Sequence, residues 1–194
     1  MNEPSPKTEL RRRAAGRRDA LASGERDIGE RLVASFAAAG LLRPAGVVAG
    51  YAPFRSEADP GPLLRVLSDA GWTCALPVPV GGADGLAFRA WSPGAPLVAG
   101  RYGIPVPPET AEIVRPQLVL VPLLAYDGAG GRLGYGAGYY DRALAALRRD
   151  GPVVAMGVAY AGQEMASVPT EDHDQPLDMI LTEDGVTDFR KAAR

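Results

Sequence analysis

Between Tyr126 and Arg142 the chain reads Tyr-Asp-Gly-Ala-Gly-Gly-Arg-Leu-Gly-Tyr-Gly-Ala-Gly-Tyr-Tyr-Asp-Arg. Glycines at 134, 136 and 138 let the backbone approach a ligand closely and adopt conformations barred to other residues. Successive free N–H groups in such a segment can cradle an anion. A helical pattern with Leu144 and Leu147 inward starts at Tyr139, so the glycines run into a helix N-terminus whose positive dipole end faces the same place. Arg132 adds a planar cationic fork suited to phosphate oxygens, and Asp141 a hard carboxylate suited to Mg²⁺ between phosphates. The spacing is neither the P-loop pattern nor the dinucleotide pattern, and G-x-G-x-G also fits a tight turn. Asp141 likewise fits a carboxylate favoured in the first turn of a helix.

Other residue types invite chemistry with less support. Lys7 and Arg11 lie one helical turn apart on one face, which on spacing alone reads as a solvated basic surface. A basic nucleic-acid arm is disfavoured by the lack of an aromatic stacking platform nearby. Tyr135, Tyr139 and Tyr140 suit either stacking on a ring or packing the loop, and we expect one exposed stacker and one core tyrosine. Phe54 and Trp91 read as core more than as pocket wall. His173, the single histidine, reads as structural or as an orienter of Asp174. Cys74 falls mid-strand and reads as an inert buried side chain.

The elements that must position these groups follow from periodicity. Lys7 to Leu21 reads as a helix with Leu10, Ala14 and Leu21 on one side and a heavy excess of arginine. Ser23 reads as the N-cap of a second helix carrying Ile28, Leu32, Val33 and Phe36 and ending at Gly40. A strand from Val47 to Tyr51, a helix with Leu63, Leu64 and Leu67, and a strand from Trp72 to Val78 broken by Pro77 and Pro79 come next. Gly81, Gly82, Asp84 and Gly85 mark a turn before a strand from Leu86 to Trp91. Ser92 to Pro116 reads as a long ordered loop or an extended crossing. Leu118 to Pro122, Val153 to Ala159 and Met179 to Thr182 read as buried strands, with a helix from Tyr139 to Arg149. Strands alternating with helices predict a three-layer α/β/α domain around a mostly parallel sheet, spanning 1–194 as one unit with the basic helix 7–21 packed on it. Ligands of such sheets sit beyond the carboxyl ends of the strands, the edge at which the glycine segment follows Leu118 to Val121.

Composition narrows the function classes. A length of 194 residues at 46% hydrophobic content supports a real core. A net charge of −2 argues against an electrostatic nucleic-acid binder. One cysteine allows no internal disulfide, and with one histidine it makes an ordinary zinc site improbable. No stretch approaches the ~20 apolar residues that span a bilayer, so a cytoplasmic protein without membrane attachment is the expectation, with a monomer as the simplest assembly.

The string Arg132 to Asp141, RLGYGAGYYD, resembles the signature RLG-x-G-x-G-[YF]-YD of the 5-formyltetrahydrofolate cyclo-ligase family. Lys7-Thr8-Glu9-Leu10-Arg11 is similar to that family's N-terminal K-x-x-L-R. Glu57 is similar to its substrate-pocket glutamate, and Val121-Pro122 with Tyr126-Asp127 to the strand and turn before the glycines. Gly157 to Tyr160, Gln163, Val168-Pro169, His173-Asp174 through Asp178 and Thr182-Glu183 resemble its C-terminal third. The blocks keep the family's order over nearly the whole chain. Two departures stand out. Gly103-Ile104-Pro105-Val106-Pro107 lacks the glutamate of the family's Gly-Ile-x-Glu-Pro, and Ala137 stands where some members carry lysine.

The resemblance implies an enzyme on a fold like that of isomerases and CoA-transferases. It would convert 5-formyltetrahydrofolate and ATP into 5,10-methenyltetrahydrofolate, ADP and phosphate by phosphorylating the formyl oxygen. It implies catalytic roles for Arg132 and Asp141, and nucleotide contacts from Lys7, Arg11, Arg132, Leu133, Gly134, Tyr135, Gly136, Ala137, Gly138, Tyr139 and Tyr140. The folate, in polyglutamylated form if the basic helix meets an acidic tail, would lie against Ala52, Glu57, Tyr135 and Tyr139. Mg²⁺ would rest on Asp141, with Asp178 or Asp174 as the next ligand. Two rivals remain: a sugar-phosphate isomerase-like enzyme on the same scaffold, and a non-catalytic folate or nucleotide binder. On this reading Arg132→Ala is expected to reduce turnover far more than stability.

Overall fold

The computed structural model describes residues 5–43, 46–81 and 85–191. Helix α1 (Pro6–Gly24) starts at Ser5, whose hydroxyl accepts the Thr8 N–H at 3.3 Å, and Pro6 opens it where a missing N–H costs nothing. Helix α2 (Ile28–Ala38) ends before Gly40, whose φ of +70° turns the chain away. Strand β1 (Val47–Ala49), helix α3 (Gly61–Asp69), and strands β2 (Thr73–Pro79) and β3 (Leu86–Ala90) follow. Then come a small hairpin of β4 (Val98–Ala99) and β5 (Pro105–Val106), and the central strand β6 (Leu118–Pro122). The last third holds β7 (Ala125–Asp127), β8 (Arg132–Leu133), α4 (Tyr139–Arg149), β9 (Val154–Val158), β10 (Glu164–Met165), β11 (Met179–Thr182) and β12 (Gly185–Asp188).

The main sheet has seven strands in the order β12-β11-β9-β6-β1-β2-β3. The inner pairings are parallel, and both edge strands, β12 and β3, are antiparallel to their neighbours. Alternation along the strands sorts side chains between two cores. Val48, Cys74, Leu76, Leu118, Leu120, Met156, Val158, Met179 and Leu181 meet Leu32 and Phe36 of α2 and Leu63, Leu64 and Leu67 of α3. Ala49, Ala75, Val119, Val121, Ala155 and Ile180 meet Ala143 and Leu144 of α4 on the other face. Both faces of LVLVP are therefore covered, as a continuous apolar run in a parallel sheet requires. Helix α1 packs through Ala14 on a third cluster with Leu124, Ala125, Leu133 and Val168.

From β1 the chain moves to β2 on one side, then returns to lay β6 on the other side of β1. The gap between the carboxyl ends of β1 and β6 is thus the topological switch point, where an open α/β sheet leaves a crevice.

Four local expectations are corrected. Ser23 caps nothing: it is inside α1, and its hydroxyl donates back to the Asp19 and Ala20 carbonyls at 3.0 and 2.9 Å, while Asp27 precedes α2. Pro77 and Pro79 do not break β2. β1 pairs only with Thr73, Cys74 and Ala75, and the Gly50 N–H donates to the Ala75 carbonyl at 2.9 Å. Pro77 and Pro79 share the parity of Ala75, so their missing donors face the edge that β1 has already left. Ser92 to Pro116 is not one plain crossing, since it folds β4 and β5 around a turn of 3₁₀ helix at Arg101–Gly103. The glycine-rich stretch also holds a strand, β8, antiparallel to β7. Of the turn expected at 81–85, Gly82 and Asp84 lie outside the described residues; Gly85 has a φ of +127°, and its carbonyl accepts the Val80 N–H at 3.3 Å.

The β7–β8 hairpin aims the glycine segment, and one buried carboxylate shapes its turn. Asp127 Oδ1 accepts the amides of Ala129 and Gly131 at 3.0 and 2.9 Å, and Oδ2 accepts that of Val168 at 2.8 Å. Asp127→Ala orphans all of these donors and is expected to destabilise the fold by about 3 kcal/mol. A urea midpoint within error of the parent would show that the carboxylate does not organise this turn.

Candidate active site

A cavity of about 490 Å³ opens at the switch point, large enough for a small-molecule ligand. Its walls come from the segment after β1, the end of β6, the glycine segment, the first turn of α4, the start of α1 and the β4–β5 hairpin.

One wall is suited to anions. Gly136 has a φ of +98° and Gly138 a φ of +67°, both in the left-handed region that favours glycine. At Gly136 a Cβ would lie 3.0 Å from the Arg11 guanidinium carbon, so the bare backbone lets that cation close over the loop. Arg11 Nε also donates to the Gly134 carbonyl at 3.0 Å. Gly138 is the residue before α4, so the free amides of that helix's first turn open on the cavity beside the glycines. Lys7 reaches the same cavity, its ammonium 2.8 Å from Glu171 and 3.5 Å from Asp174. The hydrogen bond to Glu171 raises the lysine above its ordinary pKa and keeps it charged. Arg101, from the 3₁₀ turn between β4 and β5, donates to the Tyr139 hydroxyl at 3.2 Å, and Arg142 stands over the Tyr139 ring.

Arg132 is more deeply engaged than its sequence context implies. Its side chain is 6% exposed, paired with Asp141 and donating to the Gln175 carbonyl. Burial pushes its pKa down and the carboxylates of Asp141 and Asp174 oppose that shift, so it remains a cation. Asp141 Oδ1 also accepts the Gln175 N–H at 3.0 Å. Leu133 is buried under α1 and anchors the glycine segment to the third core cluster.

The other wall is suited to a flat ring with polar edges. Tyr51, Ala52, Phe54 and Glu57 follow β1, and Pro122 ends β6. Tyr135 is 44% exposed, with Phe54 edge-on at 6.0 Å between ring centroids. Tyr140 packs into the α4 core while its ring reaches the cavity, which makes it the core tyrosine. Glu57 is buried at the base of this wall, and its Oε2 accepts the Phe54 N–H at 2.9 Å. Burial raises its carboxyl above the usual carboxylate range, against the pull of the Phe54 amide and the Arg18 cation.

Lys7, Arg11, the segment 132–141, Ala52 and Glu57 are therefore neighbours around one cavity, although they come from three distant stretches of sequence. Phe54 lines the cavity, whereas Trp91 packs against the core of α2 and α3. His173 lies on the cavity rim, 71% exposed, with Nε2 3.4 Å from Glu171. Cys74 is buried, and burial pushes its thiol up to about 11.

Asp178 does not join this group. It precedes β11, at the amino ends of the parallel strands, where Oδ2 accepts the Ala155 N–H at 2.8 Å and meets Arg148 at 3.0 Å. Asp178 does not line the cavity, and its carboxylate is taken up by Arg148 and the Ala155 amide, so the expectation that it shares an ion with Asp141 finds no support in this arrangement. Asp174, on the cavity wall, is the remaining second carboxylate. Among the described residues no three His, Cys, Asp or Glu side chains stand close enough to hold a metal by themselves. A Mg²⁺ ion that arrives on phosphate oxygens needs only one or two protein carboxylates, and Asp141 and Asp174 offer that donor set.

The residue that periodicity reasoning missed is Arg18. It shares a helical stripe with Lys7, Arg11 and Ala14, at spacings of four, three and four, while Arg12, Arg13 and Arg17 are exposed. That phase was the available signal. An inward stripe built largely of cations hides the helix's amphipathicity from a hydrophobic count.

Residues 4–183 match the profile described as the 5-formyltetrahydrofolate cyclo-ligase family. The 5-formyltetrahydrofolate cyclo-ligase of Mycolicibacterium smegmatis is 35% identical over 151 residues, covering 74% of this chain and 76% of that protein. That of Escherichia coli K12 is 35% identical over 146 residues, covering 71% and 78%. The NMR structure of Aquifex aeolicus 5,10-methenyltetrahydrofolate synthetase superposes with a TM-score of 0.77 at 29% identity, over 95% of this chain and 93% of that one. A Mycoplasma pneumoniae 5,10-methenyltetrahydrofolate synthetase, at 20% identity and a TM-score of 0.68 over 92% and 99%, shares the fold. With a family match over most of its length, the chain belongs to the 5-formyltetrahydrofolate cyclo-ligase family and is an enzyme of folate one-carbon metabolism.

Proposed function

We propose that the protein closes 5-formyltetrahydrofolate to 5,10-methenyltetrahydrofolate at the expense of ATP, with release of ADP and phosphate. The formyl oxygen is a poor leaving group on an amide-like carbon. Transfer of the terminal phosphoryl group to that oxygen makes it a phosphate, N10 attacks the activated carbon and gives up its proton to solvent or the departing phosphate, and the carbon–oxygen bond breaks as phosphate leaves. Such a transfer asks a protein chiefly for positioning and for stabilisation of charge.

The residues suit that division of labour. The glycine segment and the first turn of α4 would receive the nucleotide's phosphates, with Lys7, Arg11 and Arg132 supplying positive charge. Lys7 would exchange its carboxylate partners for phosphate oxygens. Bound Mg²⁺ would neutralise charge on the phosphates, held on the protein side by Asp141 with Asp174 nearby. Glu57 would accept hydrogen bonds from pterin N–H groups, with Ala52, Tyr135 and Tyr139 bounding the ring. The same reading takes the protein as a cytoplasmic, monomeric, single-domain enzyme, and among the described residues no helix is long and apolar enough to cross a membrane.

The observation that carries the proposal is that one cavity joins a glycine-and-helix anion wall to a ring-shaped wall with a buried carboxylate at its base. The test is direct. Protein mixed with 5-formyltetrahydrofolate, ATP and Mg²⁺ should raise the absorbance of the methenyl product, with ADP formed in equal amount. A signal that does not depend on ATP, or no signal, would refute it.

A further inference from the structure

Arg18 is a cation where a helix facing the core ordinarily carries a hydrophobe. Its side chain is 1% exposed. Burying a guanidinium is costly, and a well-packed apolar side chain often stabilises a fold as well or better. What an apolar residue lacks is a set of directed donors and a charge. Arg18 Nε donates to the Ser56 hydroxyl at 3.1 Å, and one terminal nitrogen donates to the Tyr135 hydroxyl at 2.6 Å. The other donates to the Leu123 carbonyl at 3.4 Å and lies 3.7 Å from Glu57 Oε1. These acceptors belong to the segment after β1, the segment after β6 and the glycine segment, the pieces of chain that meet at the switch point. Glu57 and Tyr135 line the cavity, and Arg18 does not.

We propose that Arg18 is a positioning residue for substrate recognition: from behind the cavity wall it fixes Glu57 and Tyr135, the pair that meets the bicyclic ring of the substrate. This rests on the folate reading of the cavity. The charged and titratable groups around Glu57 are Arg18 from α1, Tyr51 after β1, Tyr135 from the glycine segment and Tyr140 from α4. Burial raises the Glu57 carboxyl, and Arg18 is the cation that opposes the rise. Without it Glu57 protonates at higher pH, and a protonated carboxyl accepts hydrogen bonds less well.

The experiment compares wild type, Arg18→Met and Arg18→Lys in steady-state kinetics with each substrate varied, across pH, alongside thermal unfolding. Arg18→Met is expected to raise the folate KM about tenfold while the ATP KM stays within about twofold. The pH below which folate KM climbs should move upward from the wild-type value. Arg18→Lys restores charge without the fork, and should return that pH towards wild type while leaving folate KM about threefold raised. A purely structural Arg18 would lower the unfolding temperature and leave both KM values and the pH profile in place, and that result would overturn the proposal. If Arg18→Met does not fold, Arg18→Lys decides alone: an unchanged folate KM overturns the proposal, and a selective rise supports it. Wild-type protein with no ATP-dependent product would instead sink the folate reading and this inference with it, whereas an active wild type with unaffected variants sinks only the role of Arg18.

Discussion

Arg132→Ala is expected to lower kcat by about 10²- to 10³-fold, the scale on which removal of a preorganised charge partner slows chemistry. The guanidinium is buried on the wall suited to anions, held by Asp141 and the Gln175 carbonyl, so on the proposed reading it would need no reorganisation as charge develops on a phosphoryl group. The same engagement changes the expectation drawn from sequence, which assigned little stability to this residue. Alanine leaves the Asp141 carboxylate and the Gln175 carbonyl without their cation, at a cost of about 2–4 kcal/mol. Kinetics and urea unfolding should therefore be measured on the same preparations, with Arg132→Lys as the conservative partner. Lysine keeps the charge and loses the fork, and should recover about tenfold of the lost turnover. A kcat loss that follows the unfolded fraction, and disappears when the variant is fully folded at lower temperature, would remove Arg132 from the chemistry.

Glu57→Gln is expected to reduce kcat/KM for the folate by about 10²-fold with the ATP KM little changed. The amide is nearly isosteric, so packing is preserved. It brings a donor into a place where the Phe54 N–H already donates and the Arg18 guanidinium lies 3.7 Å away. It also removes the acceptor that would meet pterin N–H groups. The sign of the pH dependence follows from burial. The Glu57 carboxyl is raised, so in wild type folate KM should climb as pH falls through that raised value, and in Glu57→Gln it should lose this limb. A variant with ordinary folate KM and the wild-type pH profile would show that this carboxylate does not read the ring.

How much of this could be read from the chain differs by element. β6, β9 and β11 were legible because strands covered on both faces become continuous apolar runs. Helix α4 was legible to its boundaries because glycines precede it and its leucines keep helical phase. The tolerance of β2 for Pro77 and Pro79 was not legible, because it depends on where β1 stops. Strand β12 was not legible either, being three half-buried residues and one exposed, with no apolar pattern. In the site, the segment 132–141 was visible as local backbone chemistry. The engagement of Arg132 by Gln175, of Lys7 by Glu171 and of Arg18 by Tyr135 spans 43, 164 and 117 residues of chain, and local periodicity carries no information about such pairs.

The sequence by itself determined the alternation of strands and helices, the glycine segment and its helix, and the family to which the string belongs. These are short-range properties of backbone freedom and hydrophobic phase. Only the tertiary structure decided that α1 turns a stripe of cations inward, that Asp178 is taken up by Arg148 outside the cavity, and that the anion wall and the buried carboxylate share one cavity. The physical reason is the crossover at β1 and β6: a reversal of strand order brings distant loops to one edge, and it is set by how whole elements pack.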